Sequence, residues 1–273
     1  MFKAARRPIG TYTFLGLLGC LALYPLLFMV ITSLKTDTQF YLHIGWFVAP
    51  FHWNNYVNAF SRIWRYIVNS LIVSGASTLG VLIISSLSAY AFARLDFPGR
   101  TFLYYAIIAM MMIPFLLTFI PLFSIVKSLG LLNTYWGLVL PYIATGQALA
   151  VFILRTFFAG LANDLFEACR VEGGSEWYAF LRIALPLSKP VLGTVAILEI
   201  LTTWNDYVWP LVVINENHLR TLALGMVVFS SKYSTAFGPE MAAYFIGTVP
   251  LLLLLAVTGK TFVRGLTAGA LKF

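Results

Sequence analysis

Glu199, Thr202, Thr203 and Asp206 follow one another at spacings of three, four and seven residues, so a helix carries them as one polar stripe, with Asn205 beside it. The stripe lies in an apolar run from Val191 to Ile214, and ionisable groups in such a run are costly and face a bundle interior, a pore or a partner. Counted from Pro190 at about 1.5 Å per residue, Glu199 sits roughly 14 Å along the helix. In a hydrocarbon core about 30 Å thick that is close to the midplane. Two readings stand side by side. The hydroxyls and carboxylates line a path and hydrogen-bond a passing solute, or the stripe packs against another subunit or closes an inter-helix hydrogen bond. Gln147 and Asn69, in two other apolar runs, are further candidates for the path.

Other chemistries find no support. Gly259, Lys260 and Thr261 resemble the end of a phosphate-cradling loop, but that loop needs a glycine five places before Gly259 and the residue there is Leu254. Lys260 reads instead as a cation snorkelling from the end of a membrane helix. His43, His52 and His218 show no ligand spacing, so no metal site is expected. Cys20 falls in an apolar run and Cys169 in a polar loop, which argues against a structural disulfide. No catalytic residue and no cofactor of its own are expected.

The elements that position the stripe follow from hydropathy. The chain is 60% hydrophobic and 10% charged over 273 residues, against roughly 45–50% and about 25% in soluble domains. Apolar runs near the roughly 20 residues that a membrane helix needs extend over 12–33, 67–92, 102–126, 136–158, 191–214 and 241–263. They are hydrophobic all round, so the expected fold class is an all-α membrane protein with six transmembrane helices. Lys3, Arg6 and Arg7 precede the first run, whose length reads as a retained span rather than a cleaved leader. Those three residues, with Arg94, Arg100, Arg155, Arg170, Arg182, Lys189, Lys260, Arg264 and Lys272, outnumber Lys35, Arg62, Arg65, Lys127, Arg220 and Lys232 on the other side. That asymmetry places both termini in the cytoplasm. The net charge of +8 is accounted for by orientation, and no nucleic-acid partner is expected.

Between the runs, residues 34–66 form an external cap with a short helix near Asn54 to Phe60. Pro114 and Pro121, seven apart on one face of the third run, predict a kink, with or without a cavity beside it. The polar island from Glu167 to Pro190 predicts two short helices. Asn163 and Asp164 cap the first, with Glu167 at the reciprocal position, and Gly173 and Gly174 close it. Ser175 caps the second, which runs through Arg182 before Pro186 and Pro190 launch the fifth span. Leu165, Phe166 and Cys169 give the first helix a partial apolar face. It is either a connector lying on lipid headgroups or a handle for a partner.

Glu167, Ala168, then Gly173, then after nine residues Ile183, Leu185 and Pro186 reproduce the loop signature of ABC importer permeases, E-A-A, three residues, G, nine residues, I-x-L-P. Cys169 stands where that family has a second alanine. The runs SAYAFAR (Ser88 to Arg94), WNDYVWP (Trp204 to Pro210) and GLTAGALK (Gly265 to Lys272) also resemble the second permease subunit of maltose-type carbohydrate importers. The resemblance implies a type I ABC importer permease fold in the inner membrane. It further implies a heteromeric complex with a second homologous permease, two ATPase subunits that bind ATP and magnesium, and an extracytoplasmic sugar-binding protein. Glu167, Ala168 and Gly173 would then be docking and hinge positions of a coupling helix, with Leu165 and Phe166 as apolar contacts. Glu199, Thr202, Asn205, Asp206 and Gln147 would meet sugar hydroxyls. The expected division is an N-terminal span and external segment over 1–66, a permease core over 67–263 with its coupling loop over 159–189, and a cytoplasmic tail over 264–273. The rival readings are an ABC permease for another solute such as glycerol phosphate, and a secondary transporter using Glu199 and Asp206 as a proton relay without ATP.

Overall fold

A computed structural model describes residues 9–232 and 236–270, with side chains over 10–230 and 236–259, and every regular element among them is helical. Lys3, Arg6, Arg7 and Lys272 lie outside the described residues, as do the side chains of Lys232, Lys260 and the GLTAGALK tail.

The first helix, α1 (Ile9–Ser33), contains no charged residue and is apolar all round, as a helix in lipid can be because it closes its own backbone hydrogen bonds. A capping box at Thr36 and Gln39 starts α2 (Asp37–Leu42). Next comes α3 (Asn54–Arg94), one unbroken helix of 41 residues, about 60 Å long. The expected short cap helix near Asn54 is therefore the first turns of this second long helix. Hydropathy marks where lipid begins, whereas a helix goes on until a breaker stops it, and none lies between Asn54 and Tyr66.

Then α4 (Arg100–Ala109), extended by a 3₁₀ turn over Met110–Met112, meets α5 (Phe115–Ser128) at a bend of 103°. Pro114 is the cause. It forces Ile113 into extended backbone, φ −85° and ψ 117°, and cannot continue the ladder. The expected kink is thus a break, while Pro121 stays inside α5. The next long helix, α6 (Trp136–Ala159), leads into α7 (Asn163–Val171) and α8 (Glu176–Ala179). The chain then passes through a π turn over Phe180–Ala184 and α9 (Leu185–Leu187) to α10 (Lys189–Asn205), turning 74°. The second island helix therefore outruns Arg182, because Pro186 widens the helix by withholding an N–H from the Arg182 carbonyl instead of ending it.

The fifth apolar run does not continue to Ile214 as one helix. It stops at Asn205, and Asp206 Oδ1 accepts from Val208 N at 2.9 Å and Trp209 N at 3.4 Å to start α11 (Val208–Val213). The chain closes with α12 (Leu222–Lys232) and α13 (Phe237–Ala270). Among the described residues, four helices are long and apolar enough to cross a membrane, and six spans result if each bent pair counts as one.

The chain divides into two compact units, Met1–Trp64 with Met226–Pro250 and Arg65–Gly225 with Leu251–Phe273. In the first, Asn55 Nδ2 donates to the Ser33 and Lys35 carbonyls, both at 2.9 Å, and Phe40 stacks on Phe237 with ring centres 4.3 Å apart. The buried Lys35 ammonium donates to the His43 carbonyl at 2.6 Å, and burial pushes its pKa below the lysine range. In the second, α6 is the central post, contacting α4, α10 and α11. Trp209 seats there with its indole N–H on the Gly137 carbonyl at 3.1 Å. A methyl at Gly137 would run into the Leu131 carbonyl oxygen and lie 3.0 Å from Val213 Cγ1. Gly137→Ala is accordingly expected to destabilise the protein by roughly 1–3 kcal/mol, read as a lowered melting midpoint in detergent.

Candidate functional site

Both candidate regions lie in the second unit. On α7 the two faces separate cleanly. Phe166, 3% exposed, and Cys169 point into a core with Tyr90, Leu154, Phe158 and Phe180. Leu165, Glu167, Ala168 and Val171 point outward, Val171 at 89% exposed. Phe166 thus holds α7 down instead of offering the apolar contact expected of it. Val171, which motif spacing did not single out, is the most exposed large apolar residue of α7.

The helix begins at Ala162, and neither Asn163 nor Asp164 caps it. Arg94, the last residue of α3, ties this junction in another way, donating to carbonyls that precede α7 rather than accepting from its free N–H groups. Its guanidinium donates to Asn163 Oδ1 at 2.6 Å and to the Phe158 and Leu161 carbonyls at 2.5 and 2.6 Å, and lies 4.2 Å from the Phe166 ring centre. A planar fork suits such divergent acceptors. One turn earlier on α3, Tyr90 donates to Glu176 Oε2 at 2.9 Å, and Arg170 Nε donates to Glu176 Oε1 at 2.9 Å. That hydrogen bond to Glu176, with its charge, raises the Arg170 pKa above the ordinary arginine value. Tyr90 and Arg94 were visible as the i and i+4 positions of SAYAFAR, but only folding shows which way they reach.

The end of α7 is a Schellman closure. Gly174 N–H donates to the Cys169 carbonyl at 2.8 Å and Gly173 N–H to Arg170 at 3.0 Å, with Gly173 at φ +81°. Ser175 Oγ then accepts from Tyr178 N at 3.2 Å, the cap expected of it. Because Gly173 needs the left-handed region, Gly173→Ala is expected to strain the loop by roughly 1–3 kcal/mol. Limited proteolysis of the assembled protein would show faster cutting between Glu172 and Ser175.

The second region is a half-open cavity of about 490 Å³ lined by α5, α6, α10 and α11. Phe115, Leu149, Leu198 and Trp209 give it apolar walls, and Glu199, Thr202 and Asp206 line it together with Tyr142. The Tyr142 hydroxyl donates to Asp206 Oδ2 at 2.9 Å. Glu199 is 8% exposed, and its carboxyl oxygens accept no hydrogen bond from a described residue. Gly146 leaves the room it occupies, since a Cβ there would stand 2.7 Å from Glu199 Oε2.

The other expected path residues sit elsewhere. Asn205 is exposed and donates to the Leu201 carbonyl at 2.8 Å, Gln147 donates to the Ile143 carbonyl at 2.9 Å, and neither lines the cavity. Asn69 is spent on structure, donating to the His218 and Arg220 carbonyls and accepting from Tyr135. Tyr142 and Gly146 escaped sequence reasoning because their roles depend on which helix faces α10. Ala150 and Val195 line the cavity and also belong to the packed cluster that seats Phe166, so one contiguous core joins the two regions.

Residues 81–259 match the family model of the binding-protein-dependent transport system inner membrane component. The chain is 33% identical to the trehalose/maltose transport system permease protein MalG of Thermococcus litoralis, over 94% of each chain. It is 31% identical to the diacetylchitobiose uptake system permease protein NgcG of Streptomyces coelicolor, covering 96% of this chain and 88% of the relative. A chain in the crystal structure of a bacterial ABC transporter involved in the import of the acidic polysaccharide alginate superposes with a TM-score of 0.80 at 20% identity, covering 96% of this chain and 99% of that one.

Proposed function

Because the chain belongs to the family of inner-membrane components of binding-protein-dependent transport systems, we propose that it is one permease subunit of an ATP-driven carbohydrate importer. It is a transporter component and not an enzyme. The observation that carries the reading is the outward face of α7, where Leu165, Ala168 and Val171 present an apolar strip on a helix pinned from behind by Phe166 and Arg94. An apolar strip on a braced helix suits a protein partner better than solvent. Glu167, Ala168 and Gly173 remain the proposed docking and hinge positions, with Leu165 and Val171 as apolar contacts.

On this reading α7 seats in a groove of a separate ATPase subunit, present in two copies that hold ATP and magnesium. A second, similar permease completes the translocation path and an extracytoplasmic binding protein delivers the sugar. Six spans with both termini in the cytoplasm put α7 on the ATPase side. Closure of the ATPases would then move α7, and the core beneath it would carry that motion to the cavity. Sugar as cargo is supported by relatives named for trehalose, maltose and diacetylchitobiose. It is also supported by a cavity that combines aromatic walls with the acceptors of Glu199, Thr202 and Asp206. Gln147 and Asn205 would flank that path without lining it.

Mild purification of the tagged chain from its native membrane, with intact-complex mass spectrometry, tests the reading. One ATPase pair and a second permease are expected. Val171→Asp is expected to release the ATPase pair while the two permeases stay together. Self-association without any ATPase would overturn it.

A further inference from the structure

The cavity contains two acids and no base. Among its lining residues Glu199 and Asp206 are the carboxyl groups, and no lysine, arginine or histidine faces it. Asp206 is held as an acceptor by three donors, the Tyr142 hydroxyl and the Val208 and Trp209 backbone N–H groups. Glu199 differs. It is buried, turned into the cavity over Gly146, and no described donor meets its carboxyl. Its carboxyl oxygens open onto the cavity and not onto a protein donor, so whatever fills that space completes their hydrogen bonding.

The entering group must therefore bring hydrogen-bond donors and no negative charge. A saccharide hydroxyl or ammonium donates to Glu199. A carboxylate, sulfonate or phosphate has no proton to offer and meets two acids across an apolar, weakly screening wall, where like charges repel far more than in water. Phe115, Tyr142 and Trp209 add flat apolar surfaces suited to the C–H faces of a sugar ring.

We propose that this cavity is a charge filter, which passes neutral or amine-bearing saccharides and turns back those that carry an acid group. The inference rests on the carbohydrate-import reading and names the substrate class within it. Glu199 is the residue that sets the sign.

The test reads charge preference inside the assembled complex. Thr202, which lines the cavity, is replaced by cysteine in a chain with Cys20→Ala and Cys169→Ala. Its modification rates are measured with a trimethylammonium-ethyl and a sulfonatoethyl methanethiosulfonate, each divided by the rate with free 2-mercaptoethanol. The normalised ratio is expected to favour the cationic reagent by about tenfold or more, and to fall at least about threefold when Glu199→Gln is added. A ratio near one, or one that Glu199→Gln leaves unchanged, would overturn the filter. Failure of the import reading is separately visible, because the same complex would then show no carbohydrate-stimulated ATP hydrolysis whatever the thiol ratio.

Discussion

Arg94→Ala is expected to lower sugar imported per ATP hydrolysed by at least tenfold, or about 1.4 kcal/mol of coupling. The guanidinium satisfies the Phe158 and Leu161 carbonyls and Asn163 Oδ1 at the junction where α6 becomes α7, and covers the ring of Phe166. Hydrogen bonds from a charged donor contribute about 1.5–3 kcal/mol each. The site is half-buried, so water recovers part of the loss when the side chain is removed. What water cannot do is tie α3 to α7 as one body. ATPase closure would then rock α7 on a loosened seat without moving α3. Arg94→Lys keeps the charge but lacks the fork, and is expected to fall between wild type and alanine. Parallel measurement of uptake and ATP hydrolysis in proteoliposomes checks this. An unchanged ratio in a fully assembled Arg94→Ala complex would show that the clasp is structural only.

Gly146→Val is expected to reduce uptake by at least tenfold in a complex that still assembles. A Cβ at this position would stand 2.7 Å from Glu199 Oε2 and 2.8 Å from Val81 Cγ2. Its two further methyls must displace the carboxyl or fill the cavity. Overpacking of this kind costs about 1–3 kcal/mol, which lowers stability without abolishing the fold. The effect on uptake is larger because the added carbon sits where the solute is proposed to pass. Gly146→Ala should give an intermediate loss. Uptake per assembled complex, with assembly scored by size-exclusion chromatography, is the deciding quantity, and wild-type uptake in Gly146→Val would place the path elsewhere.

What the sequence made legible follows from how local each cause is. The Gly173 closure and the Ser175 cap were readable because turn and cap chemistry act within a few residues. The apolar runs were readable because lipid leaves a compositional trace. A helix start near Asn54 was readable as well, but its unbroken run into the second long helix was not, since polarity does not end a helix. Pro114 announced a disturbance, but its 103° depends on where α4 and α5 pack. On α7, a nine-residue helix offers too few turns to tell whether Leu165 or Phe166 faces inward. Arg94 on the loop and Tyr142 on Asp206 join residues more than sixty positions apart, and no spacing rule reaches that far.

The alternation on α7 has an evolutionary consequence. Phe166 and Cys169 are committed to the core, while Leu165, Ala168 and Val171 are exposed on the other face. Mutations at the outward positions can therefore accumulate without a compensating change beneath them. If α7 docks an ATPase as proposed, changes on this outward strip would retune that contact and leave the cavity as it is.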